Sequence, residues 1–382
     1  MRTFERPRIV LLADFEEHSA REVCLGAAQY AAQHNLAFEP WSMHARSFPS
    51  RPEFRGIGGL LLTEGASNLI FGSKPRITIP HAFVLGRSLS AGAPSVELDE
   101  AAIGRMAAEH LLQRGYRNLV SMASSTLDWS RRRVRGFQKE CKQRGVSVTH
   151  HHIPEEILPA YWQPNCLGKN EVLHRIVCDL PKPCGIFAMN DVAACFIIET
   201  ARACKIKIPQ QMGIIGADND LIPNAAAGLS ISSVEPPFRA LGWQAALILD
   251  RRRKGEKISM RTILPPIRTV VRTSTDAFMV EDGLVRKAQA YIENYRNGSI
   301  LVSQAAKAAG TTSVTLGKHF REHLGVNPSE YILRRRIEHA KDLLRQGKLN
   351  VEEVSNTCGF HSCSYFCQIF KRVTEATPGS FR

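Results

Sequence analysis

Residues 350–382 read NVEEVSNTCGFHSCSYFCQIFKRVTEATPGSFR, and residues 301–332 read LVSQAAKAAGTTSVTLGKHFREHLGVNPSEYI. Placing Gly310 on Gly359, 49 residues later, pairs Val302 with Val351, Ala305 with Val354 and Ala309 with Cys358. Each set recurs at helical spacing, so each copy opens with a short amphipathic helix. A glycine just past the last apolar position suits the left-handed residue that ends a helix. Thr312 and Ser362 then stand where a second helix is capped. Its apolar positions are Leu316, Phe320 and Leu324 in the first copy, and Phe366, Phe370 and Val373 in the second. The second copy carries one more residue in its turn. Both units run on to a proline and an aromatic, Pro328 with Tyr331 and Pro378 with Phe381.

Two short helices joined by a glycine-containing turn make a helix-turn-helix, whose second helix can enter a DNA major groove. Off the apolar stripe, the first copy offers Ser313, Val314, Thr315, Gly317, Lys318 and Arg321 as base-reading positions. The second offers His361, Ser362, Cys363, Ser364, Tyr365 and Gln368, with Lys371 and Arg372 suited to phosphates. Between them SEYILRRRIEHAKDLLRQG forms one long helix with Tyr331, Ile332, Ile337, Ala340, Leu343 and Leu344 inward. Arg334, Arg335 and Arg336 on that helix require solvent or phosphate. Charge agrees: from Val285 to Arg382 there are 15 Lys/Arg against 8 Asp/Glu, +7 of the total +14. This quarter of the chain is about three times as densely basic as the rest, which suits a polyanionic partner. Residues 284–382 resemble an AraC/XylS-type DNA-binding domain, with units at about 301–322 and 350–373. The most specific stretch is CGFHSCSYFCQIFKRVTEATPGSFR. The resemblance implies a double-stranded DNA operator and contact with RNA polymerase as an activator.

At 382 residues the chain exceeds one ordinary core. No apolar run is long enough to cross a membrane, and the one after Arg8 stops at Asp14, too short for a signal peptide. A cytoplasmic protein is expected. In that compartment the ten cysteines read as free thiols, mostly buried. Cys358, Cys363 and Cys367 lack a C-x2-C knuckle, and Cys358 sits on a core stripe, so they read as packing thiols and no metal is expected. His150, His151 and His152 read as lying between elements.

The first 275 residues alternate strand and helix patterns. RIVLLAD, GGLLLTE, HAFVLGR, RNLVSMAS, KPCGIFAMN and MGIIGAD read as strands, and SAREVCLGAAQYAAQH and DEAAIGRMAAEHLLQRG as helices. Strict alternation predicts parallel α/β sheets with ligands at the carboxyl ends of the strands. The spacing suits two lobes over residues 7–275, with SSVEPPFRALGWQAALILDRRRKGEK crossing back to the first. LPPIRTVVRTSTD then makes a last crossing and an edge strand, and 276–283 reads as a polar linker. The expected fold class is a two-lobe α/β domain followed by an all-α domain with two helix-turn-helix units.

No G-x-S-x-G, P-loop, H-E-x-x-H or dinucleotide G-x-G-x-x-G is present, so neither an enzyme nor a cofactor is expected. The alternative readings are a sugar-processing enzyme with a nucleic-acid-binding tail, or a regulator sensing a non-pentose ligand. Polar residues do follow the strands: Asp14, Asn190 with Asp191, and Asp218-Asn219-Asp220, with Arg133 close behind Trp129 in DWSRRRVRGF. Carboxylates, an amide, a guanidinium and an aromatic face converging on a cleft suit a polyhydroxyl ligand. Lying on no apolar stripe, Arg133 and Asp218 are expected to be dispensable for folding. SVELDEAAIGRMAAEHLLQRGYRNLV, RRRVRGF, FAMNDVAA, IPQQMGIIGADND and LSISSVEPP resemble the periplasmic-binding-protein-like sensor of LacI/GalR regulators. That resemblance implies sugar contacts at Arg133, Asn190 and Asp218, with Arg21 a weaker match, and a homodimer. A sensor of this type followed by an AraC-type reader resembles the xylose operon regulators, which implies xylose or a similar sugar as effector; Trp129 and Arg133 fit that pattern.

Overall fold

The apolar run after Arg8 explains the first lobe: Ile9 through Ala13 have no exposed surface, so the strand they form must be covered on both faces. In the computed structural model, which describes residues 6–42, 56–63, 65, 77, 79–86, 92–153, 171–275, 282–294, 300–324, 326–374 and 377–381, this strand is β1 (Arg8–Ala13). It lies between β2 (Ala37–Ser42) and β3 (Gly59–Leu62). The sheet continues through β4 (His81–Val84) and β5 (Ser95–Leu98) to β11 (Arg261–Leu264), parallel throughout. The second sheet is built from β6 (Asn118–Ala123), β7 (Val148–His152), β8 (Cys184–Ala188), β9 (Met212–Ala217) and β10 (Ser232–Glu235). Its edge strand β12 (Arg268–Val270) runs antiparallel to β10. Strand orders are β11-β5-β4-β3-β1-β2 and β12-β10-β9-β8-β6-β7. Two lobes joined by three chain crossings follow, as the α/β alternation predicts.

Seven helices flank these sheets among the described residues: α1 (His18–Gln33), α2 (Glu100–Gln113), α3 (Asp128–Gln143), α4 (Glu171–Asp179), α5 (Asp191–Ala203), α6 (Leu221–Ala226) and α7 (Phe238–Arg253). Two helix pairs meet backbone to backbone through glycines, and each lobe has one. A Cβ on Gly26 of α1 would lie 1.9 Å from the Arg239 carbonyl oxygen, and one on Gly242 of α7 would lie 1.9 Å from that of Val23. In the second lobe Gly104 of α2 faces the Arg133 carbonyl oxygen at 1.8 Å, and Gly136 of α3 faces that of Ala101 at 2.0 Å. Only a residue without a side chain permits such an approach.

Two expectations are corrected here. Cys178 and Cys204 are not free thiols: they are joined by a disulfide that ties α4 to the end of α5. Residues 26 apart carry no pairing signal in sequence. The remaining described cysteines are free. The His150–His152 run is not between elements but in β7, at the edge of the second sheet, where Ser121 holds His150 Nδ1 at 3.0 Å.

The chain divides into two compact units, residues 1–111 with 117–277, and residues 112–116 with 278–382. The expected linker lies outside the described residues up to 281. Its last residue, Gly283, instead opens α8 (Gly283–Asn294), a helix the sequence reading omitted. Then come α9 (Val302–Ala309), α10 (Ser313–Leu324), α11 (Pro328–Gln346), α12 (Val351–Thr357) and α13 (Cys363–Thr374), with a 3-10 turn at Pro378–Phe381. This unit has two small cores strung along α11. Tyr331 and Ile332 join Val285, Ala288, Ala305, Leu316 and Phe320. One turn on, Ile337, Ala340 and Leu344 join Val354, Cys358, Phe366 and Phe370. No helix among the described residues is long and apolar enough to cross a membrane.

The glycine contacts yield a direct test. Gly136→Ala should lower stability by about 1–3 kcal/mol or more, because the new methyl meets backbone that cannot rotate away. Urea unfolding followed by circular dichroism measures it, and an unchanged midpoint would contradict the close helix crossing.

Candidate functional site

In the α/β unit the strand ends meet where the lobes face each other. β9 ends in a turn with two non-glycine residues at positive φ, Asp218 at 96° and Asn219 at 52°, a conformation that side chains adopt only when neighbours enforce it. Asp191, fully buried at the start of α5, supplies that enforcement. Its Oδ2 accepts from the Asp220 amide and the Ser233 hydroxyl, both at 2.9 Å. Its Oδ1 rests on Gly216, where a Cβ would lie 2.2 Å away. Burial, and then the nearby Asp218 charge, push the Asp191 carboxyl well above the usual carboxylate range. Arg272 adds a clamp, donating from Nη2 to Asn219 Oδ1 at 2.5 Å and from Nη1 to the Ile231 carbonyl at 2.7 Å.

Arg133 on α3 reaches this turn. It is 3% exposed, and each nitrogen of its fork has a partner. Nε donates to Glu100 Oε2 at 2.6 Å, Nη1 to the Met189 carbonyl at 2.7 Å, and Nη2 pairs with Asp218 Oδ1 at 3.0 Å. Its guanidinium also lies over the Trp129 ring, 4.8 Å from the centroid, a cation–π contact. Burial opposes the charge, yet Asp218 and Glu100 hold the pKa of Arg133 above its ordinary value. For Glu100 burial prevails, and its carboxyl is raised despite Arg133. Asp218 Oδ1 is buried against Arg133 as an ion pair, while the Asp218 side chain as a whole keeps 20% of its surface exposed.

The other expected cleft residues divide. Asn190 caps α5 through Oδ1, which accepts from the Ala193 amide at 2.9 Å. Asp14 follows β1 and accepts the Glu16 amide at 2.9 Å. Arg21 donates Nη1 to the carbonyls of Phe15, at 2.9 Å, and Glu16, at 2.5 Å, so it braces the loop after β1. Among the described residues, a histidine–carboxylate contact and an ion pair cross between the lobes. His18 Nδ1 lies 4.0 Å from Asp220 Oδ1, and Arg132 lies 3.6 Å from Glu97, which Arg261 also holds at 2.9 Å. Reading the sequence missed Glu100 and Arg272, and it placed Asp191 among the strand-end polar residues without its part in holding the turn after β9. Glu100 looks in sequence like an ordinary first-turn acid. Arg133 was expected to be dispensable for folding; its burial between two carboxylates overturns that.

The helical unit repeats its turn as the sequence implies. Gly310 and Gly359 have φ of 76° and 75°. Thr312 Oγ1 accepts the Thr315 amide at 3.2 Å and Ser362 Oγ the Tyr365 amide at 3.4 Å, capping α10 and α13. Val314 is 84% exposed and Tyr365 53%, a state that apolar and aromatic groups keep when a partner covers them. Ser313, Lys318, Arg321, His361, Ser362, Ser364, Gln368, Lys371 and Arg372 are exposed, and Thr315 and Cys363 half-buried. Gly317 is buried and reads nothing, while Val373 is 42% exposed, with Ile369 in the core in its place. Arg321 folds back, its Nε on the Gly317 carbonyl at 3.1 Å. The arginine triplet is mostly structural: Arg335 pairs with Glu293, and Arg336 donates to the Ile300 carbonyl at 2.9 Å. Arg334 pairs with Glu330 one turn back at 2.5 Å, on the helix surface. Cys358 is 1% exposed, and burial pushes its thiol up to about 12, which suits packing rather than ligation.

Residues 108–275 match the family of periplasmic binding protein-like domains, and residues 305–382 match a helix-turn-helix domain family. The chain is 30% identical over 294 residues to the xylose operon regulatory protein of Escherichia coli K12, covering 75% of this chain and 73% of that one. The xylose operon regulatory protein of Haemophilus influenzae is 29% identical over 293 residues, covering 76% and 74%. Among solved structures, the xylose-binding transcription activator xylR aligns over 99% of this chain and 98% of its own, with a TM-score of 0.61 and 25% identity. A periplasmic binding protein/LacI regulator from Alkaliphilus metalliredigens, solved with D-xylulofuranose, covers 71% of this chain and 99% of its own. Its TM-score is 0.55 at 16% identity, a likeness of fold alone.

Arg133→Ala should cost about 3–5 kcal/mol, since it leaves buried Glu100 without its cation. Chemical denaturation measures the loss, and Glu100→Gln in the same chain should restore part of it. An Arg133→Ala chain as stable as its parent would show that the guanidinium has no structural part.

Proposed function

The chain belongs to the family of xylose operon regulatory proteins, and from that premise we propose a pentose-responsive regulator whose effector, xylose or a similar sugar, binds where the lobes face each other. It is a DNA-binding transcriptional regulator with a sugar-sensing domain. The observation that carries the ligand site is Asp218: a part-exposed carboxylate at a strand end, beside a guanidinium and the Trp129 ring. Fixed acceptors and donors next to an aromatic face suit a ring of hydroxyls. Asn190, Asp14 and the loop that Arg21 braces would complete the polar lining.

A sugar bound there touches both lobes, so it favours the closed arrangement by its differential affinity for it. The contacts of His18 with Asp220 and of Arg132 with Glu97 bias the same equilibrium. Closure then alters how a homodimer presents its DNA-reading units to a duplex operator. Each chain would place α10 and α13 in successive major-groove segments, with Lys318, Arg334, Lys371 and Arg372 at phosphates. We read the protein as a cytoplasmic activator that contacts RNA polymerase, without an enzymatic step.

Calorimetry with the full chain tests the sugar. Xylose should bind, and Asp218→Asn should weaken it by about 1.5–3 kcal/mol, roughly tenfold to over a hundredfold. Absence of binding by xylose, arabinose, ribose and xylulose would sink the pentose reading. On operator DNA, Lys371→Ala should weaken binding to every sequence alike and reduce the salt slope by about 0.9. His361→Ala and Tyr365→Ala should instead shift base preference, and a uniform loss from both would remove them from the reading surface.

A further inference from the structure

One cluster in the helical unit serves neither base reading nor the cores. His319 and His323 stand one turn apart on α10, and Asp282 is the residue just before α8. His319 Nδ1 lies 2.5 Å from Asp282 Oδ2, and His323 Nε2 lies 3.7 Å from the same oxygen. The two imidazoles have centroids 6.2 Å apart and are tilted by 32°. One ligand atom from each residue falls within 4.8 Å of the others. We propose that Asp282, His319 and His323 bind a divalent transition-metal cation of the zinc class.

Three features carry this. The donor set, two imidazoles and one carboxylate, is one that zinc, nickel and cobalt accept, whereas magnesium and calcium take oxygen. The carboxylate is already oriented. Asp282 Oδ1 accepts the amides of Leu284 and Val285, each at 2.9 Å, so Oδ2 is turned towards the imidazoles. Such an outer hydrogen bond is what fixes a ligand in metal sites. The spacing is also close to right. A tetrahedral ion about 2.1 Å from each ligand needs ligand atoms roughly 3.4 Å apart, and small side-chain rotations take this trio there. The proton between His319 and Asp282 would give way to the metal. Its fourth position would be left to water.

The site would fasten the second helix of the first helix-turn-helix to the start of α8, whose Val285, Ala288 and Ile292 share a core with Leu316 and Phe320. The first half of the unit would therefore stiffen on metal loading, and the reading positions Val314 and Lys318 would stay clear of the metal.

Cobalt(II) titration of the chelator-treated full chain, followed by visible absorption, tests the proposal. One equivalent should bind with ligand-field bands and no sulfur-to-cobalt charge transfer. His323→Gln, which keeps the Asp282–His319 pair, and His319→Gln should each lower affinity roughly tenfold or more. Zinc should raise the melting temperature of the parent chain and leave both variants unmoved. Three results would overturn the assignment. These are no uptake, with Asp282 and His319 simply sharing a proton; equal uptake by parent and variants; or a thiolate charge-transfer band, which would place the ion on one of the free cysteines instead.

Discussion

A single guanidinium holds the sensor together. Arg133 bridges Glu100, at the head of the helix through which the chain first crosses between lobes, and Asp218, at the end of β9. Glu100 is buried and Arg133 offsets part of the cost of burying it, while Asp218 stays part-exposed beside the same planar fork. The fork is aimed by α3, and α3 is placed by the glycine crossing with α2, where the Arg133 carbonyl oxygen touches Gly104. Position, charge and packing thus converge on one residue. The ring of Trp129 beneath it closes the side that would otherwise admit water. A ligand hydroxyl at Asp218 would compete for a carboxylate already attracted to Arg133, so its affinity depends on how that pair shares the oxygen.

The helical unit follows a different logic. It has little room for a core, and α11 serves two of them in turn, with Tyr331 and Ile332 in one and Ile337, Ala340 and Leu344 in the other. Because one helix carries both, α10 and α13 cannot drift apart independently. Arg335 and Arg336 reinforce this by tying α11 back to Glu293 and to the Ile300 carbonyl. They spend their charge on the scaffold. Lys318, Lys371 and Arg372 stay exposed, whereas Arg334 is half-buried and paired with Glu330.

Much of this was legible because it rests on periodicity and on turn chemistry. Gly310 and Gly359, the caps Thr312 and Ser362, and the apolar stripes are local signals, and so are the strand ends at Asp14, Asn190 and Asp218. What escaped was non-local. Nothing near Glu100 in sequence announces that Arg133 will reach it 33 residues later, and the Cys178–Cys204 pairing depends on how α4 packs on α5. Ile369 and Val373 lie one turn apart on the same face of α13, so the pattern alone could not show that the packing ends before the helix's last turn. α8 was overlooked because its stripe, Val285, Ala288 and Ile292, is short and interrupted by polar residues.

The buried acid Asp191 shows how the cleft can be poised. Its raised pKa means the folded state holds a proton that the unfolded chain would release, so stability falls as pH rises from the ordinary carboxylate range towards the folded value. A core built for stability alone would place an apolar residue there. Instead the carboxylate spends both of its bonds on the Asp220 amide and the Ser233 hydroxyl, holding Asp218 and Asn219 at positive φ. That turn carries Asp218 to Arg133 on one side and Asp220 to His18 of the other lobe on the other. The same three residues therefore join Arg133 to the opposite lobe. Asp218 and Asp220 are two peptide units apart, so a displacement of one would reach a contact between the lobes by a short path. The strain stored in the turn is what makes that short path stiff.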